Sequence, residues 1–241
     1  MKMYEMGRLF LEPVLPPLYK QVRARLRKII QSNFNSPRIL DVGGRKSPYT
    51  IGLPALVTVM DLPRRSEIQQ QLNLGVDDRI IEQIRHRRSN IENVVLGDMT
   101  CSGLPDEAFD LVVSVEVLEH VEEDERFVSE VWRVLKPGGM FLMTTPNGDW
   151  VENKNPDHKR HYKKKQLNQL LEKYFAGVAV EYAIVGGSCR RLGLKSWSLS
   201  RPDTIALSMV GNVVNGFQSA HATVKNKATG THHLFAVALK Q

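Results

Sequence analysis

Short apolar runs alternate with amphipathic segments along most of the chain. Five runs are continuous and rich in β-branched residues, which is typical of strands that are buried on both faces of a parallel sheet. Two more strand-like runs follow near the C-terminus. The seven runs cover residues 38–42, 56–61, 93–98, 109–115, 140–145, 178–185 and 234–239. This pattern predicts an α/β, doubly wound and mostly parallel sheet built from strand–helix–strand units.

Helical periodicity lies between these runs. It predicts helices over residues 17–31, 66–88 (with a break near Gly75), 123–135 and 163–175. In the first of them, the apolar positions share one face and the basic residues, Arg23 among them, lie largely on the others. Such a helix either rests on a membrane surface, covers the site as a lid, or docks on the core with its basic face in water. The short apolar face favours docking.

The positions of the predicted helices, strands and breaks along the chain indicate one main domain. Residues 1–35 are interpreted as a helical N-terminal extension and residues 36–241 as the domain itself. Residues 187–231 contain Gly193, Pro202, Gly211, Gly216 and Gly230 among weakly helical pieces. We interpret this segment as an elaborated connection before the last strand, in a position to cover the active site.

Composition narrows the possible partners and compartments. The 241 residues carry a net charge of +7, which favours an anionic partner without requiring one. No stretch reaches the roughly 20 apolar residues of a membrane span, and the start does not resemble a secretory signal. Two widely separated cysteines predict neither a disulfide framework nor a metal site. These features indicate a cytoplasmic protein with reduced thiols.

Acidic and glycine residues follow three of the predicted strands. The first strand ends in Asp41-Val42-Gly43-Gly44, the second in Asp61 and the third in Asp98. Open α/β sheets bind ligands at the carboxyl ends of their strands, where glycine lets the backbone approach a ligand closely. A carboxylate twenty residues after the first strand's can accept both hydroxyl protons of a ribose.

Six segments in order resemble the signatures of class I S-adenosylmethionine-dependent methyltransferases, and most closely those of the type 11 methyltransferase domain family. They lie within residues 36–186 and read LDVGG, VMDLP, VVLGDM, LPDEAFDLVVSVEVLEHV, EVWRVLKPGGMFLMTTPN and PDHKRHYKKKQLNQLLEKYF. The resemblance implies a Rossmann-like sheet of seven strands, with helices on both faces and an antiparallel last strand. Residues 234–239 would form that last strand, beside residues 178–185.

The resemblance also implies S-adenosyl-L-methionine as the cofactor and assigns residues to it. Gly43 and Gly44, which follow Asp41, would pass under its methionine part, and Asp61 would hold its ribose. The remaining expected contacts are Asp98 and Met99 for the adenine, and Ser114 and Glu116 beside the methionyl group or the reaction pocket.

One residue departs from the family pattern. Arg45 stands where the family commonly has a further glycine, and a side chain there does not adopt a positive φ cheaply. Either the loop turns at Gly43-Gly44, or cofactor binding is weakened.

Three histidines are candidate general bases, because a hydroxyl or amine acceptor must lose a proton and histidine titrates near neutral pH. His120 follows the fourth strand, and His158 and His161 follow the fifth. The alternative for His120 is a packing or capping role, and Arg160 could bind an acidic substrate instead.

The favoured function is methyl transfer to a small-molecule acceptor, preferably at oxygen, with an acceptor that is anionic or lipid-linked. An RNA methyltransferase is the second hypothesis, suggested by the charge, although no RNA-binding module is recognisable. The third is a non-catalytic methyltransferase-like binding protein, for which Arg45 is the only support. No metal is predicted.

Overall fold

Among the residues that the computed structural model describes, which are 2–64, 75–195, 197 and 200–241, seven strands form one sheet. They are β1 (Arg38–Val42), β2 (Leu56–Asp61), β3 (Ile91–Leu96), β4 (Phe109–Val115), β5 (Leu135–Pro146), β6 (Gly177–Val185) and β7 (Thr231–Leu239). Their order is β3-β2-β1-β4-β5-β7-β6. Strand β7 runs antiparallel to both its neighbours, and the pairs from β3 to β5 are parallel. This confirms the predicted fold class, including the insertion of the last strand beside β6.

Helices cover both faces of the sheet. They are α1 (Met3–Phe10), α2 (Pro17–Asn33), α3 (Asp78–Arg87), α4 (Asp124–Val134), α5 (Lys164–Glu172), α6 (Ser188–Gly193) and α7 (Pro202–Ala220). Helices α4 and α5 pack on one face, and α2 and α3 pack on the other. The predicted helix over 66–88 is described only from residue 75, and its residues 66–74 lie outside the described part. Asp77 caps α3, since its carboxylate accepts the Ile80 N–H at 2.9 Å.

The two cores divide the side chains of β1 by the two-residue period of a strand. Leu40 and Val42 face the core under α4 and α5, whereas Ile39 faces the core under α2. Asp41 therefore faces the α2 side of the sheet, and it is fully buried there.

Helix α2 docks on the core, as its apolar face predicts. Val22 and Leu26 are fully buried in it. The prediction that Arg23 lies on the solvent-facing side of this helix was wrong, because its side chain is 3% exposed. Its guanidinium pairs with Glu12 at 3.0 Å and donates to the Ile51 carbonyl at 2.6 Å. Burial is tolerated because these partners replace water.

The connection from β6 to β7 contains α6, α7 and a short 3₁₀ helix, Ala222–Asn226. It packs beside the start of α2, and the Asn212 side chain donates to the Val14 carbonyl at 3.0 Å. Within the described residues, none of the helices is both long and apolar enough to cross a bilayer.

Candidate active site

A cavity of about 610 Å³ opens at the carboxyl ends of β1, β2 and β4. Parallel strands present these ends on the same edge of the sheet, so loops from distant parts of the sequence meet there. Six of the predicted cofactor or base residues line it: Gly43, Asp61, Asp98, Met99, Glu116 and His120.

The loop after β1 turns at Gly43. Its φ is +71°, a conformation that favours glycine, and its N–H donates to the Met60 carbonyl at 2.8 Å. A Cβ on Gly43 would lie 2.6 Å from the Cγ2 of Val117, another residue of the cavity wall. The close approach of these two backbone segments therefore requires glycine.

Arg45 does not need a positive φ, because Gly43 makes the turn. Arg45 belongs to a short 3₁₀ helix, Gly44–Lys46, and is absent from the described non-glycine residues with positive φ. Its guanidinium donates to the Gly75 carbonyl at 2.7 Å, at the rim of the cavity. The structure therefore supports the first of the two alternatives given for Arg45, in which the loop turns at Gly43-Gly44.

Asp41 lies under the loop and does not line the cavity. Its carboxylate accepts hydrogen bonds from the hydroxyls of Ser47, Tyr49 (3.2 Å) and Thr50 (2.6 Å). A Cβ on Gly44 would overlap this carboxyl group, so the packing of the Asp41 side chain against the loop requires glycine at position 44. Burial raises the pKa of Asp41, against the opposing charge of Arg88 and these hydroxyl donors.

Asp61 faces the cavity from the end of β2. One of its carboxylate oxygens accepts the Leu62 N–H at 2.9 Å. Burial raises the pKa of Asp61, although the N–H donors of the neighbouring loops and the charges of Arg45 and Lys46 oppose the shift. The carboxylate is thus held by the backbone and is turned towards the space where a ligand's hydroxyls would lie.

Asp98 and Met99 line the cavity from the loop after β3, the strand next to β2. Strand β3 ends at Leu96, two residues earlier than the pattern predicts, so Asp98 caps the 3₁₀ helix Met99–Cys101. It accepts both the N–H and the hydroxyl of Thr100 at 2.8 Å. The Met99 side chain is buried against the core under α4 and α5.

Glu116 links this cavity to a second one. Its φ is +56°, and its carboxylate accepts the Thr144 hydroxyl at 2.9 Å. Its other oxygen lies 3.1 Å from Nδ1 of His233. Burial raises the pKa of Glu116, but the adjacent imidazole outweighs it and the net direction is downward. Ser114, two residues earlier, is 1% exposed and lines neither cavity.

The second cavity has a volume of about 220 Å³ and a mixed lining. Its walls come from the start of α2, the end of β6, helices α6 and α7, and β7. Arg190 and His233 meet there, with Nη2 of the arginine 3.4 Å from Nε2 of the histidine. Asn215 is buried, and its Oδ1 has no hydrogen-bond partner among the described residues. The polar lining residues are Tyr19, Glu116, Arg190, Asn212, Asn215 and His233.

The three predicted bases form a cluster beside the first cavity. The rings of His120 and His158 meet edge to face, with centroids 4.6 Å apart. Nδ1 of His158 lies 2.8 Å from Nε2 of His161, whose Nδ1 lies 2.9 Å from the Val151 carbonyl. Burial lowers the pKa of His158, and the two neighbouring imidazoles lower it further. The structure thus brings the three histidines together, with His120 at the cavity wall.

Glu119 lies beneath this cluster and is fully buried. Its carboxyl accepts the Thr145 hydroxyl at 3.0 Å, and burial, followed by the charge of Glu116, raises its pKa well above the usual range. Glu119, His120 and His158 offer ligand atoms that lie within 4.8 Å of one another. These three residues are the described group whose geometry could hold a metal ion.

Arg160 has partners of its own. Its guanidinium lies 2.5 Å from the Asp124 carboxylate and donates to the Glu122 carbonyl at 2.8 Å. The Asp124 carboxylate also accepts the Tyr162 hydroxyl at 2.6 Å. The arginine thereby ties the segment after β5 to the start of α4.

Pattern reasoning missed the residues of the second cavity other than Glu116. His233 and Arg190 lie 43 residues apart, the first just before the predicted last strand and the second in the segment that the sequence made hard to interpret. The only local signal was the pair His232-His233 inside an otherwise apolar strand.

Comparison with known proteins identifies the domain. Residues 58–143 match the family model described as "Methyltransferase domain". A probable S-adenosylmethionine-dependent methyltransferase of Mycolicibacterium smegmatis is 36% identical over 115 residues, which cover 46% of this chain and 44% of that protein. The sterol 24-C-methyltransferase erg6 of Aspergillus fumigatus is 37% identical over 84 residues, covering 33% and 20%. The chain spans less than half the length of these curated relatives.

A solved structure supports the fold over the whole chain. The S-adenosylmethionine-dependent methyltransferase of Archaeoglobus fulgidus superposes with a TM-score of 0.54 and 18% identity, covering 92% of this chain and 94% of that one. These findings confirm the predicted resemblance: residues 58–143 match a methyltransferase domain, and the chain is similar in sequence to S-adenosylmethionine-dependent methyltransferases.

Proposed function

We propose that this chain, as a class I methyltransferase domain, transfers a methyl group from S-adenosylmethionine to the hydroxyl of a small acceptor. The observation that carries the proposal is the position of Glu116, whose side chain borders both cavities. A donor in the larger cavity and an acceptor in the smaller one would meet at this residue. Such an arrangement supplies the proximity on which displacement reactions depend.

The larger cavity fits the cofactor in size and chemistry. Its floor at Gly43 tolerates no side chain, Asp61 offers a carboxylate for ribose hydroxyls, and Asp98 with Met99 offers a polar and an apolar surface for adenine. The bound cofactor supplies an electrophilic methyl group on a sulfonium sulfur. The carboxylate of Glu116 favours that positive charge electrostatically.

Backbone strain supports the smaller cavity as the acceptor site. Two of its lining residues, Glu116 and Ile184, have φ values of +56° and +60°. Ile184 is β-branched, and a positive φ is costly for such a residue. Strain of this kind is concentrated at ligand sites, where the surrounding structure maintains it.

His233 is the proposed base for a hydroxyl acceptor. Glu116 lies at the Nδ1 side of its ring, which favours a proton there and leaves the Nε2 lone pair towards Arg190 and the cavity. In the proposed step, Nε2 of His233 would accept the proton of the acceptor hydroxyl as the oxygen takes the methyl group that the bound cofactor would supply.

Arg190 suggests what else the acceptor carries. Its guanidinium is partly buried and makes a long contact, 3.4 Å, to the imidazole of His233, and burial lowers the pKa of Arg190. An anionic or carbonyl group on the acceptor would compensate for the lost hydration. This supports an acidic or otherwise hydrogen-bond-accepting substrate of modest size.

His120, His158 and His161 remain the alternative bases, because they lie beside the donor cavity. The two proposals differ in which single substitution removes turnover. Methyl transfer from labelled S-adenosylmethionine to a panel of small phenols and hydroxy acids would identify an acceptor. With that acceptor, His233→Gln should lower kcat by about 100-fold, the usual contribution of a general base. A matched His120→Gln variant should retain most of kcat. The opposite result would assign the base to the histidine cluster.

Cofactor binding is the first test of the proposal. We expect calorimetry to show binding of S-adenosylmethionine and S-adenosylhomocysteine by the parent protein, and a loss of about ten-fold or more in Asp61→Ala, because a charge-assisted hydrogen bond is removed. Asp106→Ala, an exposed aspartate outside the cavity, is the matched control and should bind normally. A folded protein that binds neither compound would refute the proposal and favour a non-catalytic binding protein.

RNA methylation stays a second hypothesis because of the net charge of +7. It predicts RNA binding whose affinity falls steeply with salt concentration, since released counterions drive such binding. Transfer of label to small hydroxyl compounds, with none to RNA, would decide for the small acceptor.

A further inference from the structure

Helix α7 buries its polar face and exposes its apolar face. The residues that face the body of the protein are small or polar: Thr204, Ser208, Gly211, Asn212, Asn215 and Ser219 are all buried. The side chains that face outward are apolar: Leu207, Val210, Val214 and Phe217 are 46%, 62%, 39% and 75% exposed. A surface helix of a globular protein normally shows the opposite arrangement.

The buried polar face has a structural explanation. The Asn215 side chain donates to the Val185 carbonyl at 2.7 Å, and the Ser208 hydroxyl donates to the Gly193 carbonyl at 2.8 Å. The Ser219 hydroxyl accepts the Val185 N–H at 3.0 Å. These bonds attach α7 to the end of β6 and to α6. Nothing in this attachment requires apolar side chains on the outer face.

The outer face forms one continuous stripe. Its four large residues are spaced three, four and three positions apart, which aligns them along about 15 Å of helix. No charged residue interrupts α7 after Asp203. Leu194 and Trp197, in the segment that precedes the helix, are also exposed, at 56% and 38%. An exposed apolar area of this extent marks an interaction surface.

The charge around the stripe indicates the partner. Residues 186–230 contain six lysines and arginines and a single acidic residue, Asp203. Among the basic residues, Arg191 in α6, Lys195 after it and Arg201 directly before α7 are exposed. An apolar stripe bordered by basic side chains, with a tryptophan beside it, is the pattern of a helix that lies in the interface of an anionic bilayer.

We propose that α7, together with Leu194 and Trp197 before it, docks this protein on an anionic lipid surface, with Val210 and Phe217 inserted below the headgroups. A second copy of the chain fits the stripe less well, because pairing two such faces would bring two strongly basic faces together. Leu194, one of the exposed apolar residues before α7, also lines the proposed acceptor cavity. Insofar as the proposed function holds, the acceptor would enter from the lipid side.

Vesicle sedimentation tests the docking without reference to catalysis. The probes are vesicles of phosphatidylcholine alone and of phosphatidylcholine with 30% phosphatidylglycerol, the latter composition being of the order that gives a substantial surface charge. The parent protein should bind the anionic vesicles at least about ten-fold more strongly, with binding that weakens as salt is added.

Two sets of variants separate the apolar and the basic contributions. Val210→Ser combined with Phe217→Ser should reduce binding by about ten-fold or more, because two inserted side chains are lost. Arg191→Gln combined with Lys195→Gln should reduce it by roughly five-fold for each charge. Leu56→Ser, which replaces a residue of similar exposure at the far end of β2, is the matched control and should bind as the parent does. Circular dichroism and thermal unfolding establish that each variant is folded.

Three results would overturn the proposal. The first is equal binding, or none, with both vesicle types. The second is unchanged vesicle binding by the folded Val210→Ser, Phe217→Ser variant. The third is a concentration-dependent dimer, measured by light scattering, that this variant abolishes while vesicles bind neither protein. The third result would assign the stripe to a second copy. A protein that docks on vesicles yet binds no S-adenosylmethionine would refute the proposed function and leave the docking intact.

Discussion

Replacing Gly43 by alanine separates two physical costs at the floor of the cofactor cavity. The first is the backbone, since Gly43 has a φ of +71°. The second is the close approach of Val117, whose Cγ2 would lie 2.6 Å from the new Cβ. An ordinary contact between two carbon atoms is about 3.5–4.0 Å, so one of the two segments has to move.

The expected magnitude follows from these two terms. A left-handed conformation costs an L-residue about 1–2 kcal/mol, and overpacking by one methyl group costs about 1–3 kcal/mol. Gly43→Ala should therefore lower the free energy of unfolding by about 2–5 kcal/mol. Truncation of Val117 to alanine in the same protein removes the clash, but it leaves the backbone cost.

A double-mutant cycle measures the two terms. Urea unfolding of the parent, Gly43→Ala, Val117→Ala and the double variant, all without cofactor, gives four free energies. We expect a favourable coupling of about 1–3 kcal/mol between the two substitutions, with about 1–2 kcal/mol of the Gly43→Ala cost remaining. Calorimetry of S-adenosylhomocysteine should show weaker binding by Gly43→Ala, and partial recovery in the double variant.

Strict additivity in the cycle would refute this account. It would mean that Val117 does not contact the position of the new Cβ, and that the loop after β1 is not held in the described conformation. A Gly43→Ala protein with unchanged stability and unchanged cofactor affinity would refute both terms at once.

Three further predictions concern buried or paired carboxylates. Burial raises the pKa of Glu119 in the folded state, so the free energy of unfolding of the parent falls as the pH rises from about 4.5 towards that raised pKa. In urea unfolding, Glu119→Gln should therefore be more stable than the parent at pH 8 but not at pH 4. Hydrogen bonding to Arg133 lowers the pKa of Glu130 to about 2, so the stability that this carboxylate contributes is present above about pH 4.5 and is lost as the pH falls to about 2. In Glu130→Gln, the free energy of unfolding should therefore depend less on pH between these two values. Asp41→Asn should cost about 1–3 kcal/mol in chemical unfolding, because the buried hydroxyls of Ser47, Tyr49 and Thr50 lose a shared carboxylate acceptor; an unchanged free energy of unfolding would contradict that role.

Local pattern predicted most of the elements and their order in the chain. The apolar runs correspond to the seven strands, and the predicted helices over 17–31, 123–135 and 163–175 correspond to α2, α4 and α5 within three residues at each end. These predictions were confirmed because a strand buried on both faces and a helix buried on one leave different spacings of apolar residues. The insertion of the last strand came from the family resemblance, because spacing does not specify strand order.

The roles of individual polar residues were harder to predict. Asp41 and Asp61 look alike in the sequence, yet the two-residue alternation of β1 turns Asp41 under the loop, whereas Asp61 is the last residue of β2 and lines the cavity. Arg23 resembles a surface residue in the sequence, but in the structure its guanidinium is buried and contacts the Ile51 carbonyl and Glu12. Such contacts join residues far apart in the chain, and no local pattern records them.

By itself, then, the sequence determined the strand and helix spacing, the acidic and glycine residues at the strand ends and the resemblance to a methyltransferase. The tertiary structure alone decided that Glu116 and His233 come within 3.1 Å, and that the apolar stripe of α7 faces outward. The reason is the same in both cases. Periodicity shows that a helix or strand has two faces, but which face is covered depends on the neighbours that the fold places beside it.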